Sequence, residues 1–206
     1  MLSKESAKRK DKSSRIYFIF AGVVLIIIAL IIPISTFAPV FKAEINYQVG
    51  QKNKTPTEII PVNSEFSIVI PKINANAKVI KNVDPFDSKI YQPALTQGVA
   101  HAKNTSTPDQ LGNTFIFAHS AGNWYQANQF NAVFYLLNKL AAGDEIIVYY
   151  QSKKYNYIVN ETKLINGDEL NYMSSKSGRN QLTLMTCWPP GTTLKRLIVI
   201  AIPKND

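Results

Sequence analysis

A chain of 206 residues with 46% hydrophobic residues is long enough for one substantial domain with appendages, and too short for two comfortable cores. The formal net charge of +9 raises a nucleic-acid partner, but no Lys/Arg face interleaved with aromatics is present, so nucleic-acid binding is not expected. A basic membrane flank followed by a mildly basic surface accounts for the charge.

Residues 1–15 read as a cytoplasmic basic tail, with Lys4, Lys8, Arg9, Lys10, Lys12 and Arg15 set against only Glu5 and Asp11. The sequence then turns apolar and charge-free through IYFIFAGVVLIIIALII and on to Val40. That length matches the roughly 20 residues a bilayer crossing needs. The basic flank places the N-terminus inside and the rest of the chain outside. A cleaved signal peptide would have a shorter apolar core and a small-residue cleavage site, which Ser35-Thr36-Phe37-Ala38 supplies poorly. A buried core helix would carry a polar stripe, and this segment has none. The expectation is one uncleaved transmembrane anchor over 16–40, then an extracellular tether over 41–65 and a globular domain over 66–206.

The globular pattern opens with FSIVIPKI, a strand closed by Pro71, followed by a short strand at Ala77 to Ile80. Asn82 to Leu95 mixes polar and apolar residues around Pro85 and Pro93 and has room for one short helix. Gly98 to Ala102 and Thr114 to Ala118 read as strands separated by a polar loop. Phe130, Val133, Phe134, Leu137 and Leu140 fall at helical spacing before Gly143, and predict a soluble helix. Glu145 to Tyr150 and Tyr155 to Leu164 are two strands around a polar turn, and Asp168 to Met173 a further helical turn. About eight short strands with one or two connecting helices describe a closed or nearly closed mainly-β domain.

The last strands hold the chemistry. In Gln181 to Cys187, side chains alternate, so Thr183, Met185 and Cys187 share one face. Pro189, Pro190 and Gly191 break the strand, and Leu194 to Ile202 resumes it. Neighbouring strands joined this way are antiparallel, which brings Cys187 close to Arg196. Cys187 is the sole cysteine, and outside the cytoplasm it has no partner for an intramolecular bridge. A lone thiol is often only an inert core residue.

Two histidines exist. His119 ends a strand and faces a loop, where a titratable residue suits a site better than a core. His101 ends a neighbouring strand and is a second candidate for lining the same cavity, although one imidazole suffices for cysteine chemistry. A thiolate is the nucleophile, a nearby imidazole or guanidinium favours it, and histidine can protonate a departing amine. Arginine stays charged and presents donors to a developing oxyanion. No acidic residue stands in a motif-like position beside these three.

Thr183-Leu184-Met185-Thr186-Cys187 matches the TLxTC signature of the sortase family, and Arg196 follows at the spacing that family uses. Gly112-Asn113-Thr114-Phe115-Ile116-Phe117-Ala118-His119 resembles its strand ending in a histidine. FSIVIPKI and GVAHA look like its first and third strands, and GDEIIVYY like the stretch after the histidine loop. The resemblance covers about Phe66 to Pro203. It implies an eight-stranded sortase-type β-barrel transpeptidase on the outer face of a bacterial membrane, cutting a C-terminal LPxTG-like sorting motif between Thr and Gly. By this resemblance Cys187 would attack the Thr carbonyl to give a thioacyl-enzyme. His119 would protonate the leaving amine and deprotonate the incoming one, and Arg196 would bind the substrate backbone and the oxyanion. The backbone N–H of Trp188 would add a donor, while Thr183, Thr186 and His101 would line the site. The implied partners are sorting-signal-bearing surface proteins and an amine acceptor, either a cell-wall precursor or a pilin lysine.

Asp84-Pro85-Phe86 has the letters of the inhibitory lid of pilin-polymerising sortases. It falls after the second strand, however, so it reads as a helix start. The loop Lys103 to Gly112 offers only Asp109, too few oxygens for calcium, so no metal or other cofactor is expected. Two alternatives remain open: a thiol hydrolase on the same barrel, and a non-catalytic binding module with an incidental cysteine. The cell-wall cross-linking enzymes with a Ser-His-Gly-Cys motif fit badly, because Met-Thr precedes Cys187.

Overall fold

The computed structural model describes residues 17–31, 44–49, 59–120, 133–169, 171–173 and 178–204. The chain divides into two compact units, Met1–Ala38 and Pro39–Asp206. In the first, residues 17–31 form helix α1. The residues on either side of it, 1–16 and 32–43, lie outside the described residues. No helix among the described residues is long and apolar enough to cross a membrane. The span expected over 16–40 coincides with α1 over 17–31, and its remaining residues, 16 and 32–40, lie outside the described residues.

In the second unit the expected tether contains a short helix, α2, at residues 44–49. Glu44 meets Lys139 at 3.4 Å, and Tyr47 packs against the hydrophobic core. This part of the chain is seated on the domain rather than only spacing it from a membrane.

Eight strands make the domain: β1 (Phe66–Ile70), β2 (Ala75–Val83), β3 (Val99–Ala102), β4 (Asn113–Phe117), β5 (Glu145–Tyr150), β6 (Lys153–Asn166), β7 (Gln181–Trp188) and β8 (Lys195–Pro203). They close a barrel in the order β1-β2-β3-β4-β7-β8-β6-β5, with β1 against β5 sealing the ring. Closure leaves no open edge for another chain to pair with. Two pairings are parallel, β2 with β3 and β4 with β7. A parallel pair needs a crossover, and helix α3 (Ser88–Leu95) supplies the one between β2 and β3.

Alternation along the strands explains the core. Ile68, Ile70, Phe115, Ile146, Val148, Leu182, Leu184 and Val199 are fully buried in one cluster. Ile198 and Ile200, on the opposite face of β8, join Ile165 in a second, smaller cluster. Tyr172 and Met185 pack against it, so β8 is covered on both faces. Gly98 marks a close approach, since a Cβ there would stand 2.3 Å from the Lys78 carbonyl oxygen.

The helix expected around Phe130 to Leu140 is not found among the described residues. Residues 133–136 are turns and Leu137–Lys139 is a 3-10 helix, while Phe130 lies outside the described residues. The reason is visible in the burial: adjacent Leu136 and Leu137 are both buried, which a single helical stripe does not require. The helical turn expected at Asp168 to Met173 is a 3-10 helix at Asn171–Met173. Asp84-Pro85-Phe86 lies between β2 and α3, where the Asp84 carboxylate accepts from the Phe86 amide (3.0 Å). Asp87 is the N-cap of α3 and accepts from the Lys89 amide at 2.9 Å, satisfying one of the donors a helix start leaves open.

Candidate active site

The β7–β8 pair is antiparallel, and Cys187 and Arg196 are direct partners across it. On the other side β7 runs parallel to β4, with Phe117 opposite Met185. The pairing continues one step beyond β4. The Ala118 amide donates to the Met185 carbonyl (3.1 Å), and the buried Thr186 hydroxyl donates to the Ala118 carbonyl (3.0 Å). These two bonds hold the backbone immediately before His119 against the backbone immediately before Cys187. Three strands thus deliver a thiol, an imidazole and a guanidinium to one end of the barrel.

All three line a cavity of about 300 Å³. Pro85 and, on α3, Tyr91, Gln92 and Leu95 also line it, with Phe117 and Met185 adding apolar surface. The turn after β7 contributes Gly191, Thr192 and Thr193. Gly191 takes a left-handed φ of 79°, and Thr192 donates from both its amide and its hydroxyl to the Pro189 carbonyl.

Arg196 is half-buried. Its Nη1 donates to the Thr193 carbonyl (3.0 Å) and to the Lys195 carbonyl (3.1 Å). The guanidinium lies beside Gly167, where a Cβ would sit 3.5 Å from Nη2. Cys187 is a free, partly exposed thiol. His119 makes one described hydrogen bond, between Nε2 and the Gln92 Oε1 at 3.2 Å. Burial lowers its pKa below the usual value of 6.5, because a low-dielectric setting disfavours the charged ring. Among the described residues lining the cavity there is no carboxylate. No group of three His, Cys, Asp or Glu among the described residues is placed to hold a metal ion.

The other residues singled out from the sequence lie elsewhere or do something different. Thr186 lines the cavity, but its hydroxyl is spent on Ala118. Trp188 is not among the lining residues and packs partly buried against the core. Thr183 is buried away from the cavity, donating to the Asn113 Oδ1 (2.8 Å) and accepting from the Gln181 side-chain Nε2 (3.0 Å). That network ties β7 to β4 and, through Asn113 Nδ2 to the Tyr172 carbonyl (2.8 Å), to the 3-10 turn. His101 is buried behind the β3–β4 loop. It accepts at Nδ1 from the Asn82 amide (3.3 Å), and its Nε2 meets the Ser106 carbonyl (3.1 Å) and the Thr105 hydroxyl (3.0 Å).

Tyr91 and Gln92 escaped the sequence reading, whereas the loop Trp188 to Thr193 is expected from the sequence to wall the site and supplies Gly191, Thr192 and Thr193. The signal of Tyr91 and Gln92 is weak because a polar or aromatic residue in a short amphipathic helix is ordinary surface composition.

A closed eight-stranded barrel with cysteine, histidine and arginine on one cavity defines the class. The family description "Sortase domain" matches residues 68–204, more than half of the chain, and the protein belongs to the sortase family. It is 26% identical over 133 residues to sortase D of Bacillus subtilis (strain 168), a match spanning 63% of this chain and 59% of that protein. Among solved structures, a Clostridium perfringens sortase D5 transpeptidase aligns with a TM-score of 0.56 and 22% identity, covering 82% of this chain and 98% of that one. A C. perfringens sortase C solved with the C-terminal cell wall sorting motif aligns with a TM-score of 0.58 and 23% identity, covering 83% and 88%. At these identities the likeness to solved structures is one of fold.

Proposed function

We propose that this chain is a membrane-anchored cysteine transpeptidase that cleaves an LPxTG-like sorting motif and passes the acyl group to an amine. The observation that carries the reading is the convergence of Cys187, His119 and Arg196 on one cavity. The Cys187 thiolate attacks the motif's Thr carbonyl carbon, and the carbonyl π electrons move to oxygen. Arg196, with its Nη1 already anchored on the Thr193 and Lys195 carbonyls, supplies a fixed charge for that oxyanion. The Trp188 amide, next in chain to the nucleophile, is a second donor in this reading. As the tetrahedral adduct collapses, the Thr–Gly C–N bond breaks and the imidazolium of His119 gives its proton to the departing nitrogen. The incoming amine then attacks the thioester, neutral His119 takes its proton, and the C–S bond breaks to restore the thiolate.

The partners in this reading are sorting-signal-bearing surface proteins and an amine acceptor, a cell-wall precursor or a pilin lysine. The charge-free stretch over 16–40, its basic flank and the helix at 17–31 support a single-pass anchor with the catalytic domain outside a bacterial membrane. The test incubates the protein with sorting-motif peptides, with and without candidate amines, and reads intact mass. A thioacyl adduct on Cys187, with product that depends on the amine, is expected. Absence of an adduct with every peptide overturns the reading, and adduct turnover indifferent to amine makes the protein a hydrolase.

A further inference from the structure

We propose that Gln92 orients the catalytic imidazole, binding His119 Nε2–H and leaving Nδ1 as the nitrogen that exchanges the proton. The inference rests on the transpeptidase reading of the cavity. Its geometric basis is the 3.2 Å contact between His119 Nε2 and the Gln92 Oε1. A carbonyl oxygen only accepts, so the ring nitrogen facing it must carry the hydrogen. Gln92 projects from α3, a helix capped by Asp87 and seated through buried Ala94 and Leu95. The acceptor therefore comes from a fixed support rather than a loop.

An amide in this place has a chemical consequence that a carboxylate would not. A carboxylate beside His119 would favour the imidazolium and raise its pKa. The neutral amide holds the ring in either protonation state without adding a charge. The ionisable side chains sharing the cavity are Cys187 from β7, Arg196 from β8 and Tyr91 from α3, so no described carboxylate there replaces Gln92 as an orienting group. A ring that must donate a proton in the first half-reaction and accept one in the second is served by a partner that biases neither form. Gln92 is thus a positioning residue: it acts through His119 and does not form or break bonds.

The test uses the full-length chain in detergent with ¹⁵N-labelled histidine. His101, with its ring nitrogens already bonded, serves as an internal reference. In the wild type, the ¹⁵N shifts are expected to report neutral His119 as the Nε2–H tautomer; the Nδ1–H tautomer overturns the proposal without any substitution. Gln92→Glu keeps the acceptor and adds a charge, so it should raise the His119 titration midpoint by about one pH unit or more. It should also move the matching limb of the kcat/KM profile by the same amount. Gln92→Leu keeps the bulk and loses the acceptor, so kcat should fall about tenfold or more with KM little changed. A purely structural role predicts the same His119 titration in both variants as in the wild type, and that result overturns the proposal. Should Gln92→Leu fail to fold, the wild-type tautomer and the near-isosteric Gln92→Glu still decide. If the wild type forms no thioacyl adduct while the Gln92→Glu midpoint moves, the transpeptidase reading falls and the orienting contact stands.

Discussion

His101 lies on β3, and His119 lies two residues past the end of β4, the antiparallel neighbour of β3, with His101 opposite Ile116. Both look alike in sequence, a histidine closing a short apolar strand. Burial lowers the pKa of both rings. What separates them is the place each strand end opens onto. The loop after His101 folds back and occupies Nε2 with the Ser106 carbonyl and the Thr105 hydroxyl, while Nδ1 accepts from the Asn82 amide on β2. The chain after β4 instead carries His119 to the wall of a cavity shared with Cys187 and Arg196. A histidine whose nitrogens are consumed by its own loop and the adjoining strand ties that loop down, and one facing a cavity is available for chemistry.

Alanine at each position offers the strongest way to break this comparison. His119→Ala should lower kcat/KM for thioacyl formation by roughly 10²–10⁴-fold, the range for a lost general acid–base. Its urea midpoint should change little. His101→Ala should do the reverse. It leaves the Asn82 amide and the Ser106 carbonyl without their ring partner, and stability should fall by about 2 kcal/mol in urea unfolding. Its activity per folded molecule should be retained. Equal loss of activity in the two variants would show that the distinction between the histidines is false.

The sequence carried the barrel because its strands alternate and are bounded by proline, glycine and polar turns. All eight expected strands are present, with boundaries moved by a few residues, as at β6, which continues to Asn166. Cys187 facing Arg196 was legible for the same reason: a hairpin has one sensible register, and the pair falls in it. The parallel β4–β7 pairing was not legible, since it joins strands more than sixty residues apart and leaves no local pattern. That hidden pairing is what sets His119 beside Cys187 and moves Thr183 into a buried network with Asn113. The loop before β5 misled because its leucines have helical spacing, yet both sides of the backbone are buried there.

Thr186 sharpens the contrast at smaller scale, because its hydroxyl is the tie between β7 and the residue before His119. Thr186→Val keeps the shape and the β-branch but leaves the Ala118 carbonyl one donor short. The expected cost is about 1 kcal/mol of stability in urea, accompanied by slower thioacyl formation. Among the described residues no equivalent tie holds the residue before His101 to β7. A Thr186→Val enzyme with full activity would mean that β4–β7 pairing alone positions the imidazole.

The pH dependence of stability is the gentlest probe, since it perturbs only a proton that the folded protein declines to bind. For His101 burial is the largest cause of the lowered pKa. The Ser106 carbonyl pulls in the opposite direction, and the charge of Lys81 adds to the lowering. In the unfolded chain the ring regains a pKa near 6.5 and binds a proton more readily than in the native state. Stability therefore rises with pH wherever the unfolded state holds more protons. The contribution is fully present above about pH 6.5 and is lost as pH falls through the lower, folded-state pKa. His119 has the same sign, again through burial, so the wild-type urea midpoint should decline on acidification from both rings. Replacing His119 with Asn should remove only its own share and leave the decline due to His101. If the decline vanishes entirely in that variant, His101 is not the desolvated, bond-saturated ring described above.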